Sequence, residues 1–144
     1  NVFGPGQYGD SPYSTAVSAW CNCVHTGVPL RSDGDGTQTR DMVFVGDIVD
    51  ANIAAMTRKE KFSGEAINIA TGKSISNNEI IEKFKNKFPD IQVKNAPERP
   101  GDVKHTLADT SKMKEMLDIY ETTPFDEGLA QTLEWWSTLE IKNG

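Results

Sequence analysis

The chain is 144 residues long, with 37% hydrophobic and 25% charged residues, a composition that excludes an intrinsically disordered class and fits a single globular domain, residues 1–144. A chain of this size buries roughly two-thirds of its unfolded surface, enough for a core. Its net charge is −6 and its Lys and Arg form no basic run, which argues against a nucleic-acid partner, although one or two local arginines can still receive a small anion.

Helical and strand patterns alternate along the sequence. Val2-Phe3 reads as the end of a strand leading into the Gly/Pro loop 4–12, and residues 14–25 read as a helix with Ala16, Val17, Trp20 and Val24 on its apolar side. Cys21 and Cys23 lie two apart on this helix and point in different directions. They are poorly placed to bridge each other and read as small hydrophobes in a reducing cytoplasm. A Gly/Asp turn at 33–37 separates two strands, of which the second is Arg40–Val45. Asp47 reads as the N-cap of a helix to about Met56.

Ala66–Ala70 is expected to be another strand, closed by the turn at Thr71-Gly72. Ser76-x-x-Glu79 forms a capping box, with Ile75 and Ile80 as its staple, and Ile80, Ile81, Phe84 and Phe88 line one face of the helix that follows until Pro89. A strand at Ile91–Lys94 precedes the Pro-rich loop 95–102. Asp109 or Thr110 starts a helix to about Leu117. Thr123-Pro124-x-Asp126 is a capped start with Pro at the first helical position, and Phe125, Leu129, Leu133 and Trp136 face the core. No apolar stretch approaches the length of a membrane span and no signal peptide is visible at residue 1, so the cytoplasm is the expected location and no membrane is an expected partner.

Several motifs lose to simpler readings. Gly4-Pro5-Gly6-Gln7-Tyr8-Gly9 matches the dinucleotide pattern G-x-G-x-x-G in letters, but Pro5 and Pro12 break the backbone where that pattern needs a turn opening into a helix. Asp33-x-Asp35-x-Thr37 opens like a calcium loop and fails at the sixth and twelfth positions, occupied by Gln38 and Phe44. No Ser sits in a nucleophile elbow, and His25 and His105 belong to no metal spacing. His25 reads as a favourable partner for a helix C-terminus, and Trp135-Trp136 as core.

Arg40 and Arg99 are different. Arg40 stands between a tight turn and a buried strand, where a guanidinium can meet an anion bidentately while its backbone stays rigid. Both arginines are followed closely by a carboxylate, Asp41 in one case and Asp102 in the other. Taken alone, that pattern favours structural salt bridges.

Four blocks change that balance: Asn1-Val2-Phe3-Gly4-Pro5-Gly6, the run Gly34–Asn52 with Arg40-Asp41, Ala66-Ile67-Asn68-Ile69-Ala70-Thr71-Gly72, and Pro97-Glu98-Arg99-Pro100-Gly101-Asp102-Val103-Lys104-His105. In this order and spacing they resemble the substrate-binding half of the extended short-chain dehydrogenase/reductases of the NAD-dependent epimerase/dehydratase family, closest to the UDP-sugar 4-epimerases. The resemblance implies an α/β fold, the C-terminal part of a Rossmann-type enzyme. Intact members are roughly twice as long and carry an N-terminal NAD-binding half and a catalytic Tyr-x-x-x-Lys pair. None of that is present, so the chain reads as a C-terminal half, with NAD the cofactor of the intact enzyme and none expected here.

By the same resemblance, Arg40 and Arg99 clamp the diphosphate of a UDP-sugar and Asp102 accepts the ribose hydroxyls. Asn1 holds the phosphate–sugar end, Ala16 and Val17 present helix N-terminal amides to the diphosphate, and the backbone of Leu30, Arg31 and Ser32 brackets the uracil. Thr106 lies beside the sugar C2 substituent, where a small side chain admits an acetamido group. The expected parent activity is interconversion of UDP-glucose and UDP-galactose, or their N-acetyl forms, with nucleotide-sugar dehydratases and decarboxylases as sister activities. This half alone is expected to bind substrate without catalysis and to self-associate. A standalone nucleotide-sugar-binding module, or an inert truncated product, is the alternative.

Overall fold

The computed structural model describes residues 1–11 and 14–139, which leaves the expectation for Pro12 outside the described residues. The elements run β1 (Val2–Phe3), α1 (Ala16–Thr26), β2 (Leu30–Asp33), β3 (Thr39–Arg40), β4 (Val43–Phe44), α2 (Val45–Thr57), β5 (Ile75–Ser76), α3 (Asn77–Lys87), β6 (Val93–Ala96), α4 (Ser111–Leu117) and α5 (Phe125–Ser137). The strands form three two-stranded ladders among the described residues. β1 and β4 pair in parallel, Phe3 opposite Phe44, and β2 and β6 pair in parallel from Leu30 opposite Val93 to Asp33 opposite Ala96. β3 and β5 are antiparallel, Arg40 opposite Ile75.

The core lies where α1, α3 and α5 close over these ladders. Phe3, Val17, Trp20, Leu30, Phe44, Ile80, Phe84, Leu129 and Trp136 are among its buried side chains. Phe3 packs its ring against Phe44 at 5.9 Å and Phe125 at 5.1 Å, while Trp20 meets Phe84 edge-on at 6.0 Å. Gly128 explains how α5 comes so close. A Cβ there would press on the Phe3 and Phe44 rings, so the helix accepts a poor helix former in exchange for contact.

Local signals set the helix starts. Thr15 caps α1, its hydroxyl accepting from the Ser18 amide, and Gly27 ends that helix in the left-handed conformation at φ 71°. The Ser76/Glu79 capping box forms as the sequence indicates, and Ile80, Ile81 and Phe84 turn inward.

Other expectations need correction. The single strand Arg40–Val45 is two strands, because Asp41 turns its carboxylate to Thr71 and Gly72 and breaks the run between two different partners. Asp47 is not the N-cap of α2. Phe44 holds that position, and Asp47 instead accepts the amide and hydroxyl of Thr123 at 3.1 and 2.8 Å. That same contact removes Thr123 from capping α5, whose N-cap is Pro124. Ala66–Ala70 forms no strand, since no described segment offers it a backbone ladder, and Asn68 ties it to Asp109 through a side chain. β6 begins two residues later than the expected Ile91, where the register with Leu30 sets in.

Candidate functional site

A cavity of about 300 Å³ opens between the start of α1, the outer face of β2, β3 and the loop 97–104. Asn1, Ala16, Arg31, Arg40, Arg99 and Asp102 all line it, so the structure brings together residues from five separate parts of the sequence. Trp20, Cys23, Asp33, Gln38, Met42 and Asn77 complete much of the wall.

Strand alternation positions one side of the site. Along β2, Leu30 and Ser32 are buried, so Arg31 and Asp33 must share the opposite face. The Arg31 Nε donates to Asp33 Oδ1 at 2.7 Å, and Arg99 Nε approaches Asp33 Oδ2 at 2.5 Å. Partial burial works to raise the Asp33 carboxyl, but the two guanidiniums outweigh it and hold it below the ordinary carboxylate range. Gln38 supports the strand from behind, donating through Nε2 to the Asp33 carbonyl at 2.8 Å.

The loop bearing Arg99 and Asp102 is stitched to β3. Thr39 donates its amide to the Lys104 carbonyl at 2.9 Å, and Thr106 donates its amide to the Thr39 carbonyl at 3.1 Å. Arg40 Nη2 bonds Asp102 at 2.7 Å and Nη1 bonds the Thr39 carbonyl at 2.9 Å. Lys104 reaches Asp35 at 2.9 Å, and that contact, with the Thr37 hydroxyl and amide, holds the Asp35 carboxyl far below the ordinary range. Asp102 donates its amide to the Arg99 carbonyl across a turn in which Gly101 takes φ 81°, a conformation that suits glycine.

Not every expected residue reaches the cavity. Val17 and Leu30 are fully buried and Ser32 is nearly so, which leaves only their backbone for any contact. The Arg31 carbonyl already accepts from the Trp20 indole at 2.8 Å. Thr106 is absent from the lining, and its hydroxyl oxygen is buried without a partner. Arg40 does not pair with the adjacent Asp41, and Arg99 pairs with Asp33 as well as preceding Asp102, an exchange of partners that sequence proximity does not reveal.

The wall is electrostatically suited to an anion. Three guanidiniums stand against two carboxylates, Asp33 and Asp102, leaving positive charge to spare in a chain that is acidic overall. The N-terminus of α1 adds the positive end of its dipole and its free amides. Among the described residues no group of three or more His, Cys, Asp or Glu side chains converges on a metal position, and no helix is long and apolar enough to cross a membrane.

The Gly4–Gly9 segment offers no cradle for a dinucleotide. It does not open into a helix, since α1 starts only at Ala16, and the Gln7 side chain is taken by the hydroxyls of Thr15 and Ser18. A Cβ on Gly9 would strike α1 at the Ser18 carbonyl, so this glycine serves helix packing rather than phosphate approach. The residues present do not fit NAD there.

The sequence profile of the NAD dependent epimerase/dehydratase family matches residues 1–70. A UDP-N-acetylglucosamine 4-epimerase from Methanobrevibacter ruminantium, solved with UDP-N-acetylmuramic acid, superposes with a TM-score of 0.85 at 35% identity over 96% of this chain and 44% of its own. The chain is similar over nearly its whole length to members of the NAD-dependent epimerase/dehydratase family. Its fold is accordingly the α/β fold of Rossmann-type members. A UDP-glucuronic acid 4-epimerase from Bacillus cereus, solved with UDP-glucuronic acid and NAD, gives a TM-score of 0.86 at 29% identity over 97% of this chain and 44% of its own. A UDP-N-acetyl-alpha-D-glucosaminuronate decarboxylase from Bacillus cytotoxicus is 29% identical over 97% of this chain and 45% of the relative. The chain spans less than half the length of the curated relatives it matches.

Asp33 and Gln38 are among the contributors to the wall that escape sequence reasoning. Asp33 reads as a turn residue, yet it is the shared partner of Arg31 and Arg99. The signal is the period of two along β2, which places Arg31 and Asp33 on one face. For Gln38, buried and bonded to a carbonyl, no sequence signal stands out.

Proposed function

We propose that this chain forms the nucleotide-sugar-binding part of an NAD-dependent UDP-sugar 4-epimerase, acting on UDP-glucose and UDP-galactose or their N-acetyl forms. The observation that carries this reading is the convergence of Arg40 and Arg99 with the start of α1 around one polar cavity. A diphosphate needs several fixed donors, and charge-assisted bonds from guanidiniums are roughly twice as strong as neutral ones. Asp102, half-exposed at the rim, supplies the acceptor that ribose hydroxyls require. The side-chain amide of Asn1 and the backbone amides of Ala16 and Val17 are assigned the remaining contacts, with Asn1 and Ala16 lining the cavity.

Binding and orientation are the tasks assigned to this chain. Its 144 residues contain no Tyr-x-x-x-Lys pair, and the Gly4–Gly9 loop does not fit a dinucleotide. NAD and the acid/base pair are therefore assigned to the remainder of the intact enzyme, and the chain alone is expected to bind without turnover. A decarboxylase or dehydratase is the second reading, supported by the similarity over nearly the whole chain to the Bacillus cytotoxicus decarboxylase.

Calorimetric titration of the chain with UDP-glucose, UDP and uridine tests the reading. Saturable binding of the first two, with uridine much weaker, is the expected result. Equal affinity for uridine and UDP would remove the diphosphate clamp, and interconversion of UDP-glucose and UDP-galactose by the purified chain would overturn the division of labour.

A further inference from the structure

We propose that the Arg31 side chain is a third anion-binding group of this site, and that Asp33 is the positioning residue that presents Arg31 and Arg99 together. The inference rests on the reading of the cavity as a diphosphate site and adds to it a side chain whose backbone alone was expected to matter.

The three guanidiniums commit their donors differently. Arg40 is largely committed to the protein: Nη1 serves the Thr39 carbonyl and Nη2 serves Asp102, and its side chain is 18% exposed. It is the clasp that fastens the loop 97–104 to β3. Arg31 and Arg99 are the reverse. Each is 62% exposed, each is anchored through Nε alone, and neither Nη pair has a partner among the described residues. An arginine fixed at Nε keeps its terminal Nη edge free, and that edge matches two oxygens of a phosphate.

One carboxylate accounts for both anchors. Asp33 offers Oδ1 to Arg31 and Oδ2 to Arg99, with only 13% of its side chain exposed. Because β2 is held in register by β6 and Gln38 fixes the Asp33 carbonyl, the carboxylate is a rigid post rather than a mobile counter-ion. Two long side chains are thereby ordered before the ligand arrives, which lowers the entropy lost on binding. Asp33 belongs to the strand and Arg99 to the loop, so the same contact also sets how far the loop stands from β2.

The test compares UDP and uridine binding to the wild-type chain, Arg31→Gln, Arg31→Lys, Asp33→Asn and the double variant Arg31→Gln/Asp33→Asn, with thermal melts to confirm folding. Loss of one charge-assisted contact predicts about a tenfold weaker UDP affinity for Arg31→Gln, unchanged uridine affinity, and an intermediate value for Arg31→Lys. If Asp33 acts by presenting arginines, its effect on UDP affinity in the Arg31→Gln background should differ at least threefold from its effect in the wild type. UDP binding by the wild type with no change in Arg31→Gln would overturn the role of Arg31 while leaving the site in place. Additive effects would overturn the role of Asp33. A wild type that ignores UDP would instead remove the site reading and this inference with it.

Discussion

Asp41 accepts both the amide of Thr71, at 2.9 Å, and its hydroxyl, at 2.6 Å, and so binds the turn at 71–72 to the junction of β3 and β4. Its second oxygen takes the Gly72 amide at 2.9 Å and the Ala108 amide at 3.4 Å. With Asp41 6% exposed, this one buried carboxylate satisfies donors from two segments, the turn at 71–72 and Ala108.

Replacing it should therefore cost more than a surface acid would. Asp41→Ala leaves three part-buried amides, those of Thr71, Gly72 and Ala108, without their partner, and a loss of about 2 kcal/mol in unfolding free energy is expected from interactions of this kind. Denaturant titration of the two proteins measures it. A change below about 0.5 kcal/mol, the range typical of surface positions, would show that the network carries little.

Cys21 gives stability a dependence on alkaline pH. Burial, with the neighbouring Cys23 adding to it, pushes the thiol from an ordinary 9.0 up to about 12. The sign follows from which state holds the proton. Between pH 9 and 12 the unfolded chain releases it while the folded chain keeps it, so stability falls as pH rises, by at most about 1.4 kcal/mol per unit. Below pH 9 both states are protonated and this contribution is flat. Unfolding curves of the wild type and Cys21→Ala across pH 8 to 11 should converge as pH rises, and parallel curves would contradict the assignment.

α2 presents Val49, Ile53 and Met56 on successive turns at 52%, 49% and 77% exposure, an apolar stripe on a helix with only Ala51 buried. The nearby segment 66–70 has no ladder partner among the described residues. Concentration-dependent self-association is expected of the isolated chain. Sedimentation at rising concentration should show it, and Ile53→Lys should weaken it; a monomer throughout, without binding of an apolar dye, would count against it.

Where a feature depends on neighbours in sequence, it was legible. The capping box of Ser76 and Glu79, the stop at Pro89 and the inward face of α3 need only local chemistry, and all form. Features that depend on distant partners were not. Asp47 has the look of an N-cap, but Thr123 takes its carboxylate, and no local pattern announces a partner that far along the chain. Ala66–Ala70 has strand composition, yet a strand exists only where another backbone lies alongside. The site divides in the same way. The arginines and Asp102 were visible through family motifs, whereas the pairing of Arg99 with Asp33 instead of its own loop is a product of the β2–β6 register.

The central claim is that a nucleotide diphosphate sugar binds between α1, β2 and the loop 97–104, and chemical-shift mapping with UDP-glucose tests it most directly. The account predicts perturbation of the Ala16 amide, the Trp20 indole and the Nε groups of Arg31, Arg40 and Arg99, with uridine reproducing only part of the pattern. Perturbations confined elsewhere, as in the apolar groove beside Val28 and Phe88 or the cleft between α3 and Lys114, would contradict it.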